Sequence, residues 1–192
     1  MAGGPKPIVE SAIMEATREA LAEEGYHELS FESVAAGCEH DRSTLDRYYD
    51  DTTHLVAAFL EYESDRFTEF VMVAPEQPHL RLRVLLETLV GLDALDADGL
   101  LEPYLELYVH ALRDERIRAS LDSLQSVMYD SLVETIERGV DDGTFDPVDP
   151  DLAASAIFSV HEAALRREAL GHDSARLRDA LDQFVLCQLR PA

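Results

Sequence analysis

Residues 13–55 read IMEATREALAEEGYHELSFESVAAGCEHDRSTLDRYYDDTTHL, and three helical patterns fit inside this stretch and the residues just before it. Val9, Ile13, Ala16, Ala20 and Leu21 recur at helix spacing, with Glu10, Glu15, Arg18 and Glu19 between them. Gly25 is placed to end that helix in the left-handed conformation that only glycine adopts cheaply. Ser30 then serves as N-cap for a short second helix through Val34 and Ala35. After a break at 37–40, Asp41 caps a third short helix over 42–49. Asp50, Asp51, Thr52 and Thr53 form a further cap cluster, and a long helix is expected over 54–73.

Helical periodicity continues outward from there. Pro75 and Pro78 break the long helix, and Leu82, Leu85, Leu86, Leu89 and Leu92 mark the apolar stripe of the next. A turn is expected over 93–99, then a helix over 101–113 with Pro103 in its first turn, where the missing N–H costs nothing. A long helix follows over 115–141, and the run Asp142-Gly143-Thr144-Phe145-Asp146-Pro147 reads as a turn. Asp149-Pro150 starts a helix that Gly171 ends, and a last helix covers 174–189. No stretch alternates with period two. The reading is all-α and two-part, with the boundary inside the long helix after Thr53.

Composition narrows the setting. The chain of 192 residues carries 39 Asp plus Glu against 16 Lys plus Arg, for a formal net charge of −23. Such a surface repels polyanions at ordinary salt. Either the protein does not bind nucleic acid, or it works in a cytoplasm of high salt, since at about 1 M the Debye length is only about 3 Å. No apolar run approaches the roughly 18–20 residues that cross a bilayer, so no membrane partner is expected. Met1 to Pro7 does not read as a secretory signal, and Cys38 and Cys187 stand far apart with no zinc or disulfide spacing. A cytoplasmic protein is expected.

The quoted stretch resembles the DNA-binding domain of the TetR/AcrR family. The resemblance rests on Ala16, Glu24, Gly25, Tyr26, Leu29, Ser30, Val34, Ala35, Thr44, Leu45, Tyr48, Tyr49, Asp51 and Leu55, aligned without a gap. Each is common alone; together, at fixed spacing, they are specific. The resemblance implies an all-α protein of about nine helices. Its parts would be an N-terminal three-helix helix-turn-helix domain, residues 1–55, and a C-terminal helical ligand-binding and dimerisation domain, residues 56–192. It also implies a DNA-binding transcriptional regulator, expected to be a repressor, controlled by a small-molecule ligand. The acid-rich, alanine-rich composition, with Lys6 the only lysine, resembles that of proteins from salt-in halophiles, the haloarchaeal type.

By the same resemblance, the third helix lies in the major groove of a double-stranded DNA operator. Arg42, Ser43, Thr44 and Arg47 would read bases, Tyr48 would touch phosphate or base, and Thr52 would donate to a phosphate. Tyr49 takes a phenylalanine position of the family, an anchor in the core. There are departures. Glu39-His40 replaces the usual Gly-Val turn, Asp46 a tyrosine, and Thr52 a lysine. Over residues 1–62, four cations face thirteen carboxylates, a net of −9. These departures motivate an alternative: a DNA-silent helical dimer that binds a ligand or another protein.

Farther along, Gly143, Phe145, Asp149, Ala153 and Ala154 resemble the family's approach to its penultimate helix. The last two long helices would then form a homodimer interface. Ala153, Ala154, Ala156, Ala163 and Ala164 would allow close approach, and Ile157, Val160, Leu177, Leu181, Phe184 and Val185 would supply apolar area. Tyr104, Tyr108, His110, Met128 and His161 are the candidate contacts for an unknown small-molecule effector, among apolar helices. An enzyme is not expected. His161-Glu162-Ala163-Ala164-Leu165 lacks the second histidine of a helical zinc motif, and Glu24-x-x-His27 has no second copy. No metal and no cofactor are implied.

Overall fold

The computed structural model describes residues 5–91 and 98–188. Among the described residues there are nine helices and no strand. They are α1 (Pro7–Glu28), α2 (Phe31–Ala36), α3 (Arg42–Tyr48), α4 (Thr52–Val73), α5 (Pro78–Gly91), α6 (Leu101–Ala111), α7 (Glu115–Asp141), α8 (Pro150–Ala169) and α9 (Ala175–Gln188). The turn expected over 93–99 falls largely outside the described residues, as do Leu92 and the side chains of Phe184 and Val185.

The chain divides into two compact units, Met1–Asp65 with Leu95–Leu124, and Arg66–Ala94 with Gln125–Ala192. In the first, α1 packs against α2 and α6, and α2 against α3. Ile13, Met14, Val34, Leu45, Leu55 and Leu107 are all at most 1% exposed there. Gly37 lets α2 meet α1 closely, since a Cβ at that position would sit 3.3 Å from the Ala16 Cβ. Arg18 crosses the unit from α1 to α4. Its guanidinium pairs with Glu63, lies 3.7 Å from Asp98 and stands 5.7 Å over the Phe59 ring. Burial alone would lower its pKa, but the Glu63 hydrogen bond and charge outweigh that and hold it raised.

Several helix ends differ from the sequence reading, and two features of the first unit bear on the site. Gly25, with φ of 76° and ψ of 173°, breaks the regular helix as expected, and three further residues, Tyr26 to Glu28, continue α1 beyond the break. The Glu106 carboxylate lies against the break. It accepts from the Tyr26 N–H at 2.8 Å, and a Cβ on Gly25 would lie 3.4 Å from one of its oxygens. α4 begins at Thr52 rather than 54, because Asp51 is the capping residue: its Oδ1 accepts from the His54 N–H at 2.7 Å.

The second unit centres on Leu82, Leu85, Leu132, Ile136 and Ile157, each at most 2% exposed. α7 ends where the expected turn folds Phe145 back over Gly139. The Phe145 N–H donates to the Gly139 carbonyl at 2.8 Å, and a Cβ on Gly139 would lie 2.1 Å from the ring. α8 starts at the Asp149 cap, whose carboxylate accepts from the Leu152 N–H. It stops at Gly171 in a Schellman motif: His172 N–H donates to Arg167 O, and Gly171 N–H to Glu168 O, each at 2.8 Å.

Burial corrects one part of the dimer expectation. Ala153, Ala154, Ile157, Ala164 and Leu181 are 6%, 0%, 0%, 0% and 4% exposed within the single chain. They belong to its own core, where small side chains let α8 approach its neighbours. The side of α8 left to solvent carries Leu152, 71% exposed, with Ser155 and Ser159, and the half-buried Ala156 and Ala163.

Candidate DNA-binding interface

Two caps shape the region. On α2, Ser30 and Ser33 make a reciprocal capping box, each side chain accepting from the other's backbone N–H at 3.1 Å. On α3, the Asp41 Oδ1 gathers three donors: the Thr44 N–H at 3.0 Å and the Ser43 and Thr44 hydroxyls at 2.9 Å each. The two hydroxyl bonds, together with the Thr44 N–H, hold the Asp41 carboxyl below the usual carboxylate range. The cap therefore carries a full negative charge at the positive end of α3.

Leu45 is fully buried and points α3 into the unit, with Val34 of α2 also buried. That leaves Arg42, Ser43, Asp46 and Arg47 exposed, on one side of the helix. Arg42 is held between two carboxylates, paired with Glu32 of α2 and 3.4 Å from Asp46 one turn along. Arg47 lies with its guanidinium 5.5 Å over the half-buried Tyr48 ring. Thr52, half-buried, is the first residue of α4. The six DNA-contact candidates thus fall in one short segment around α3, although the Ser43 and Thr44 hydroxyls are engaged with the cap. Asp46 shares their exposed side. The sequence reading treats it only as a departure from the family pattern.

Tyr49 behaves as an anchor. It is 5% exposed, and its ring meets His54 edge-on at 5.6 Å. Its hydroxyl is the one buried side-chain polar atom without a hydrogen-bond partner among the described residues. Burial, with the nearby Glu10 charge, raises its pKa well above the ordinary phenol value.

The five effector candidates fall in two places. Tyr104, Tyr108 and His110 lie on α6 in the first unit, where the His110 ring stands 4.2 Å from Tyr26 and 4.9 Å from His27. Met128 and His161 lie in the second. Met128 packs on its core, and His161, 8% exposed, donates through Nδ1–H to the Leu89 carbonyl. That bond leaves Nε2 as an acceptor. Burial lowers the His161 pKa, so the ring is neutral at pH 7. The sequence reading did not place His27 and Tyr26 beside His110, since their meeting spans about eighty residues. Among the described residues no group of three His, Cys, Asp or Glu side chains could hold a metal ion, and no helix is long and apolar enough to cross a membrane.

A capped recognition helix presented by two supporting helices, at the start of an otherwise helical chain, defines a helix-turn-helix transcriptional regulator. Residues 13–59 match the family model described as bacterial regulatory proteins, tetR family. Among solved structures, the chain is similar to a TetR transcription regulator from Haloarcula marismortui ATCC 43049. The identity is 25%, covering 94% of this chain and 98% of that one, with a TM-score of 0.83. It also resembles a protein described as a transcriptional regulator from Saccharomonospora viridis, in complex with choline, at 18% identity, 96% and 98% coverage and TM-score 0.71. AibR, in complex with isovaleryl coenzyme A and operator DNA, matches at 21% identity, 95% and 99% coverage and TM-score 0.61. The latter two likenesses are of fold alone. No curated protein matches the chain. Residues 13–59 thus match the DNA-binding part of that family, and over 94% of its length the chain has the fold of a TetR transcription regulator.

Proposed function

We propose that this protein is a cytoplasmic, homodimeric repressor released from its operator by a small molecule. The observation that carries the reading is the exposed side of α3, where Arg42 and Arg47 stand free of the core on a helix fixed by Leu45 and the Asp41 cap. In this reading Arg42, Ser43, Thr44, Arg47, Tyr48 and Thr52 contact DNA. Two copies of α3 would enter successive major grooves of a near-palindromic site. The structure of AibR with operator DNA and isovaleryl coenzyme A, and of the Saccharomonospora viridis protein with choline, supports a body of this fold taking small effectors. Dimerisation through α8 and α9 is supported by the exposed Leu152 and the small side chains beside it. The effector would be allosteric in the strict sense if it binds the DNA-competent and DNA-free arrangements with different affinity. The acidic surface suits a cytoplasm of molar salt, where the repulsion between a −23 chain and DNA is screened.

The test is fluorescence anisotropy on DNA from upstream of the protein's own gene, at about 2 M KCl to shorten the Debye length below contact range. Saturable, competitor-resistant binding that Arg47→Ala abolishes is expected. A second reading, a DNA-silent dimer, is favoured by one observation: Arg42 is already neutralised by Glu32 and Asp46. Absence of binding across salt and across a genomic fragment pool would select it and overturn the first.

A further inference from the structure

Asp46 is the feature of the α3 surface that DNA binding does not explain. It sits on the exposed side with Arg42 and Arg47, and its side chain is 51% exposed. A carboxylate facing DNA is repelled by phosphates. One place in the major groove rewards it: an exocyclic amino group, cytosine N4 or adenine N6, which donates where guanine and thymine offer only acceptors. Arg42 lies one turn earlier on the same side, its Nε 3.4 Å from Asp46 Oδ2. A guanidinium held by a carboxylate at Nε keeps its outer N–H groups free, and that fork matches guanine O6 and N7. Donor and acceptor are therefore presented together, one turn apart.

We propose that Asp46 is a specificity-determining residue: it selects an amino-bearing base, cytosine or adenine, beside the guanine read by Arg42, and excludes thymine and guanine at that position. This rests on the DNA-binding reading of α3 given above. In the free protein Glu32 occupies the outer side of the Arg42 guanidinium. Reaching guanine requires that contact to open, while the Asp46 contact stays and aims the fork. Asp46 thus acts twice, on the base directly and on Arg42 by position.

Selection from a random-sequence duplex library by the full-length protein, at about 2 M KCl, tests this. The wild type should yield a motif in which guanine neighbours a position restricted to cytosine or adenine, and the base found there distinguishes the two amino donors. Asp46→Ala should relax that position, with discrimination against thymine falling about tenfold or more, the range for a good base contact. Asp46→Asn should move the preference toward adenine, which an amide side chain matches with both its donor and its acceptor. Asp46 is exposed and Leu45 carries the packing of α3, so thermal melts of both variants should match the wild type. If Asp46→Ala selects the wild-type motif unchanged and binds every sequence more tightly, Asp46 is only a repulsive charge and the inference is overturned. If the wild type selects no motif, the DNA-binding reading fails, and this inference with it.

Discussion

Replacing Tyr49 by phenylalanine should stabilise the protein. The Tyr49 hydroxyl is buried without a partner among the described residues, while its ring is packed at 5% exposure. A buried polar group left unsatisfied costs roughly 1–3 kcal/mol. Deleting the oxygen removes that cost and keeps the ring, its contact with His54 and the backbone bond from Tyr49 N–H to Leu45 O at 2.9 Å. The void left by one oxygen costs a few tenths of a kcal/mol, at about 24 cal/mol per Å³. The net gain is about 1 kcal/mol, or a melting temperature higher by about 2–4 °C for a chain of this size. Denaturant titration at fixed protein concentration and about 2 M KCl measures it, the concentration being held because association shifts apparent stability. Tyr49→Leu serves as the comparison: it also removes the oxygen but loses the ring, and should destabilise. Loss of 1 kcal/mol or more in Tyr49→Phe would refute the reasoning, for it would mean that the hydroxyl is hydrogen-bonded in solution.

Gly139→Ala should destabilise by about 2–3 kcal/mol in a denaturant melt, because the new Cβ falls inside the Phe145 ring and expels a side chain whose burial contributes on that scale; a change under 0.5 kcal/mol would show the turn yielding freely. His161 titrates below its ordinary value because it is buried, so the unfolded chain binds the proton first. Stability should accordingly fall as pH drops below about 6.5. His161→Gln, neutral throughout, should lose that part of the acid dependence, and an NMR titration of the imidazole at or above its ordinary value would contradict it. Melting temperature should rise from about 0.1 to 2 M KCl as self-repulsion is screened, and a flat or falling series would remove the high-salt reading of the composition.

Local chemistry is what the sequence displayed best. Asp41, Ser30 and Asp149 are cap residues by type and position, and each caps the helix expected of it. Gly171 ends α8 for the reason a glycine there suggests. The failures arise where a distant residue decides. Gly25 breaks the helix as its type suggests, but that the Tyr26 amide just beyond it is captured by Glu106, eighty residues on, was not legible. The alanines of α8 read equally well as a dimer seam or as a close intrachain crossing, since a small side chain does not say which neighbour approaches. Burial assigns Ala153, Ala154 and Ala164 to the chain's own core. At the candidate site, the exposure of Arg42, Ser43 and Arg47 on α3 was legible. That Arg42 is clasped by Glu32 was not, because it depends on how α2 meets α3.

The first compact unit is assembled from two separated pieces of chain, Met1–Asp65 and Leu95–Leu124. Its recognition helix comes early, but Glu106, Leu107 and Ile117, which help complete the unit, come late. On a ribosome, the DNA-reading segment therefore emerges well before the residues that finish its core. At about 5–20 residues per second, this leaves a few seconds in which the helix-turn-helix lacks the second piece of its unit. A fragment ending at Asp65 would keep lacking that piece, and one extending through Leu124 would carry the whole of this unit. A chain broken off before α7 would thus carry the α3 sequence without the later residues that complete its unit.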